Sequence, residues 1–106
     1  MIRGTTPDFI LEIEGYDLTG MTVYVTISQG FVKLTKSNDD LDIRVNGGNS
    51  EIWLSLTQTD TLAVQAGSAD VQVRMIDRDG HADATETAPI CISRVLLEKV
   101  IAYDGA

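Results

Sequence analysis

The side chains able to do chemistry in this chain are few, and they are scattered. It has one histidine, His81, and one cysteine, Cys91. His81 directly follows Gly80, which places it at an exposed strand start. A metal or general-base role there needs a second imidazole or a thiolate set, and the sequence supplies neither. Asp77-Arg-Asp-Gly80 together with Asp83 resembles a calcium loop. It lacks the first of the three oxygen residues that precede the glycine, where Met75 stands, so it reads as a hairpin turn with glycine in the left-handed position. Asp39, Asp40 and Asp42 read as a solvated turn. Ser28, Ser55, Ser68 and Ser93 have no nucleophile-elbow pattern around them. Glu12, Glu14, Glu51 and Asp42 could in principle form the carboxylate pair of a glycosidase, but on strands they fall on the outward, polar face. Asn46-Gly-Gly-Asn49 precedes a strand rather than a helix, so it is no phosphate cradle. No catalytic residue, cofactor or metal ligand is therefore predicted, and the chain reads as a non-enzyme.

Function must then come from surfaces, and surfaces depend on the elements that carry them. From Asp8 to about Leu97 the apolar residues keep a two-residue rhythm. In Met21-Thr-Val-Tyr-Val-Thr-Ile27, Met21, Val23, Val25 and Ile27 point one way and Thr22, Tyr24 and Thr26 the other, because successive strand side chains leave opposite faces. Strands are predicted over Asp8 to Glu14, Met21 to Gln29, Phe31 to Ser37, Leu41 to Val45, Glu51 to Leu56, Ala69 to Asp77 and His81 to Thr87, with a last strand starting at Ile90. Gln29-Gly30 reads as a bend or bulge. Asn38-Asp-Asp40 reads as a turn, and Asn46-Gly-Gly-Asn49 as a tight hairpin. Thr57-Gln-Thr-Asp60 has capping-box spacing and predicts one short helical turn, with Leu62 and Val64 folding back on the core.

Seven or eight short strands (about one turn signal every 8–12 residues) point to an all-β domain of two antiparallel sheets. A small closed barrel satisfies the same alternation. The predicted shared core includes Val23, Val25, Ile43, Leu54, Val73 and Met75. Cys91, inside an apolar strand pattern, reads as a small buried hydrophobe. Arg94-Val-Leu-Leu-Glu-Lys-Val-Ile101 breaks the rhythm. It is a doubly covered strand, a bulged strand or a late turn into a docking segment.

Length and charge bound the rest. The 106 residues fit a single domain, 1–106, with one core. Eight Lys and Arg against sixteen Asp and Glu give a net charge of −8, which opposes nucleic acid as a partner. No apolar run approaches a membrane span or a signal peptide, so neither a membrane partner nor export is expected, and the reading is cytoplasmic synthesis. Alternation places Tyr24, Trp53 and Ile76 outward, and the tail adds Leu96, Leu97, Val100 and Ile101. If these residues share a face they form a patch suited to a protein or to a sugar ring.

The opening Met-Ile-Arg-Gly-Thr-Thr-Pro7, the central Val-Tyr-Val-Thr-Ile-Ser-Gln-Gly30, Leu56-Thr-Gln-Thr-Asp-Thr-Leu62, and Val-Gln-Val-Arg74 followed by Asp79-Gly80 resemble short proteins of siphophages and of prophages in Gram-positive bacteria. Those proteins look like the immunoglobulin-like N-terminal domain of phage baseplate upper proteins. The resemblance implies an immunoglobulin-like β-sandwich and an architectural role in a virion assembled in the bacterial cytoplasm. Its partners would be other phage structural proteins, with self-association left open. The contact residues expected on this reading are Tyr24, Trp53, Ile76, Leu96, Leu97 and Ile101. A carbohydrate-binding module using Trp53 and Tyr24 as a stacking platform is the alternative, and a hydrolase accessory domain is the reading the residues support least.

Overall fold

Apolar residues at every second position force most of this chain into strands, and in the computed structural model those strands form two antiparallel sheets. Residues 1–85, 87–94, 96 and 99–103 are described. One sheet holds β1 (Asp8–Ile13), β5 (Asn49–Ser55) and β4 (Leu41–Asn46), in the order β1-β5-β4. The other runs β3-β2-β6, from β3 (Val32–Ser37) through β2 (Thr22–Gln29) to β6 (Gly67–Ile76). On its far side β6 pairs with β7 (Ala82–Ala84) along one stretch and with β8 (Ala88–Ile92) along the next. Read in chain order, this is the B-E-D and C′-C-F-G arrangement of immunoglobulin-like sandwiches. The closed barrel is thereby excluded.

The core lies between the sheets and has the predicted parity. Val23, Val25 and Ile27 of β2, Ile52 and Leu54 of β5, and Val73 and Met75 of β6 are all buried. Ile43 is half-buried and packs against this cluster. The one α-helix among the described residues is the single turn α1 (Gln58–Leu62), closed by a reciprocal capping box. The Thr57 hydroxyl accepts from the Asp60 N–H, and the Asp60 carboxylate accepts from the Thr57 N–H at 2.9 Å. Val64 is buried just beyond α1, as the sequence implied.

Several expectations need correction. Gln29-Gly30 is not a bend. Gln29 pairs with Val32, so Gly30-Phe31 is a complete two-residue hairpin. Gly30 sits at φ 57° and Phe31 is not at positive φ, the glycine-first pattern of such turns. Phe31, expected to start a strand, stands fully exposed at the hairpin tip. The predicted strand from His81 to Thr87 shrinks to β7, while the last strand begins at Ala88 rather than Ile90. Between β7 and β8 the register against β6 slips by one residue, a bulge that Thr85 bridges by donating its N–H to the Val73 carbonyl and accepting the Val73 N–H on Oγ1. Cys91 is exposed, not buried, because Ile90 and Ile92 on either side of it turn inward. Asn38 does not serve its own turn. Its side chain accepts from the Val23 N–H and donates to the Met21 carbonyl, pinning the start of β2.

The N-terminal segment is tied down by polar bonds that no periodicity announces. Ile2 forms a parallel bridge with Ser93, and the Met1 amino group donates to the Cys91 carbonyl. Arg3 is buried, and its guanidinium donates through Nε to the Val64 carbonyl and through Nη2 to the Leu62 carbonyl. Thr61, wholly buried, donates its hydroxyl to the Thr5 carbonyl. These bonds hold the chain's first residues against the end of α1.

Candidate functional site

The outward residues picked out from the sequence do not form one patch. Tyr24 lies on the outer face of the β3-β2-β6 sheet, opposite Arg74, and Ile76 is on the same face one pair further along, opposite Thr22. Trp53 lies on the outer face of the other sheet, between Ile10 and Asp42. The whole core therefore separates Trp53 from Tyr24, and the two cannot make one stacking platform. Trp53 is only half exposed, with the Arg44 guanidinium 4.0 Å over its ring and its indole N–H donated to Glu51. That cation–π contact occupies one ring face. In the tail, Leu96, Val100 and Ile101 are exposed, as is Tyr103, which the sequence reading did not single out. Ile101 is held by Gln58 at the start of α1, whose side-chain amide both accepts from and donates to its backbone. Leu97 lies outside the described residues. The tail's described residues after Ser93 belong to no strand.

The candidate chemistry sits in turns and ladders. Asp77 accepts from the backbone N–H groups of Asp79 and His81 on one carboxylate oxygen, and the other oxygen lies 3.4 Å from the His81 imidazole. Its carboxyl is held below the usual range chiefly by the His81 N–H, against a smaller desolvation cost, with Asp79 and the imidazole adding to the effect. With Gly80 at φ 85°, this is the predicted glycine turn. Asp77, Asp79 and His81 bring ligand atoms within 4.8 Å of one another, and one Asp77 oxygen already accepts two N–H groups of the turn. Asp83 points elsewhere, accepting the Tyr16 hydroxyl. That bond lowers the Asp83 carboxyl and raises the Tyr16 phenol. Glu12 and Glu51 stand directly across from one another in the β1–β5 ladder, but Glu51 is taken up by the Trp53 indole and faces Arg44 on its other flank.

A feature without any sequence signal is an apolar cleft of about 300 Å³ between the two sheets, lined along β1 and β8. Phe9 and Leu11 form one wall, Ala88 and Ile90 the other, and Val71 and Val73 the floor. Val71 and Val73 fall on predicted inward positions. Parity marked the inward residues but could not show that this flank of the sandwich stays open.

No family model, curated protein or solved structure matches the chain. No helix among the described residues is long and apolar enough to cross a membrane.

Proposed function

We propose that the chain is a non-enzymatic phage or prophage structural protein, a β-sandwich module that docks onto neighbouring tail or baseplate proteins. The observation that carries the reading is where the apolar surface lies. Phe31 at a hairpin tip, Leu96 and Tyr103 in the tail and the cleft between two sheet edges are all apolar features at the periphery of a domain whose core is already complete. Exposed apolar surface of this kind serves contact with other proteins. The short resemblance to baseplate proteins supplies the setting, and the net charge of −8 argues against a nucleic-acid partner.

The test is the composition of particles. Virions induced from a host carrying the gene, separated into tail and capsid fractions and analysed by mass spectrometry, should contain the chain in stoichiometric amounts in the tail fraction. Particles that assemble and infect normally without it would overturn the proposal.

A further inference from the structure

The two edges that border the apolar cleft differ in what their backbones offer. In β1 the Pro7 carbonyl accepts from the Leu56 N–H, so the odd-numbered residues face β5. Hydrogen-bonding direction alternates along a strand, and Ile10 and Glu12 therefore turn their N–H and C=O groups to the open side. Among the described residues nothing bonds them there. On β8 the outward groups belong to Pro89, Cys91 and Ser93. The Cys91 carbonyl and both the N–H and the carbonyl of Ser93 are already bonded to Met1 and Arg3, and Pro89 has no N–H to give. A proline at such a position blunts an edge against further pairing. One wall of the cleft is thus a free template and the other is closed.

From this asymmetry we infer that β1 is a strand-acceptor edge: an extended segment of another protein, alternating apolar and basic residues, pairs with the Ile10 and Glu12 backbone and fills the cleft with its apolar side chains. The alternation follows from the pleat. Residues of an added strand that stand beside Phe9, Leu11 and Ile13 point into the cleft, and those beside Asp8, Ile10 and Glu12 point to solvent. Two of those three solvent-side neighbours are acidic, which sets the sign of the intervening residues. A second copy of this chain would bring −8 against −8 and is the poorer occupant. The inference rests on the protein-docking reading and supplies its site and the chemistry of its partner.

The experiment uses the full chain, isotopically labelled, and the synthetic peptide acetyl-Lys-Val-Lys-Val-Lys-Val-Lys-amide. Saturating peptide should slow amide exchange at Ile10 and Glu12 by about tenfold or more, the mark of a new backbone bond, and leave β3 unchanged. Three controls should fail to give protection: the peptide N-methylated at alternate residues, a peptide with glutamate for lysine, and the variant Ile10→Pro, which is read at the Glu12 amide because proline has none of its own. Proline at Ile10 removes only an outward N–H, so cooperative melting should persist. Should that variant not fold, Glu12→Lys takes its place and must weaken binding of the lysine peptide several-fold, about 1 kcal/mol. Equal protection by the N-methylated or glutamate peptide, or none by the lysine peptide, overturns the inference. So does edge protection arising from dimerisation of the chain alone. Loss of peptide binding in a chain still found in tail particles sinks this inference and spares the functional proposal; the converse result does the opposite.

Discussion

Replacing Arg3 by alanine tests whether the polar lead-in is structural. The side chain is 4% exposed and donates to two carbonyls at the end of α1, those of Leu62 (3.0 Å) and Val64. A charge-assisted bond contributes about 1.5 kcal/mol or more, so losing two costs about 3 kcal/mol, with the Leu62 and Val64 carbonyls left short of a partner. A domain of this size loses roughly 4–5 °C of melting temperature per kcal/mol, and Arg3→Ala should melt about 13 °C lower with a single cooperative transition. Arg3→Lys keeps a cation but not the planar fork, and should recover less than half of the loss. Differential scanning calorimetry of the three chains decides the matter. A shift under about 2 °C for the alanine variant, within the range of ordinary surface substitutions, would refute the assignment of Arg3 as the clamp between the first residues and α1.

Three further outcomes are expected. Val73→Asp places a carboxylate in the centre of β6 and should abolish the near-ultraviolet circular dichroism signal of folded chain, since several kcal/mol is a large part of a typical stability of roughly 5–15 kcal/mol. Asp60 is partly buried, which opposes its charge, yet its carboxyl is held low by the Thr57 N–H, by Lys36 at 2.9 Å and by the Thr57 hydroxyl. A depressed carboxylate contributes stability above its unfolded value of 3.8 that is lost as pH falls through the lower folded value. Asp60→Asn should therefore cost about 1 kcal/mol at pH 7 and progressively less below pH 4 in urea titrations, and a cost independent of pH would contradict the pairing. Truncation after Arg94 keeps β8 and the Ser93 bridge and should leave melting cooperative, whereas its loss would show that the tail belongs to the core.

Parity made the sandwich legible. Val23, Val25, Leu54, Val73 and Met75 are buried because branched and aliphatic residues at every second position have only one way to leave water. The Gly47-Gly48 hairpin and the Thr57 capping box were equally readable, since both depend on residues a few positions apart. Where the reading failed, the cause was non-local or ambiguous. Phe31 directly precedes the alternation of Val32 and Leu34, and only the Gln29–Val32 pairing shows it to be a turn tip. Cys91 lies inside an apolar strand pattern, but the alternation of Ile90 and Ile92 turns it outward. Tyr24 and Trp53 were both correctly outward, but which sheet each belongs to depends on pairings some tens of residues away. Arg3 carries no periodic signal at all. The cleft depends on two edges failing to meet, and no local pattern encodes that.

The pairing scheme also dictates an order of assembly. β2–β3 and β4–β5 are hairpins with two-residue turns, and each can close within microseconds of the chain's release. β1 must find β5, and β2 must find β6, across long loops whose closure entropy is lost before the contact forms. The slow step is therefore the joining of preformed ribbons, on the millisecond-to-second scale of all-β domains. Until β6 arrives that edge of β2 stays unpaired, so the strand at the centre of the finished sheet is also the one whose late docking decides how long the nascent chain stays exposed to aggregation.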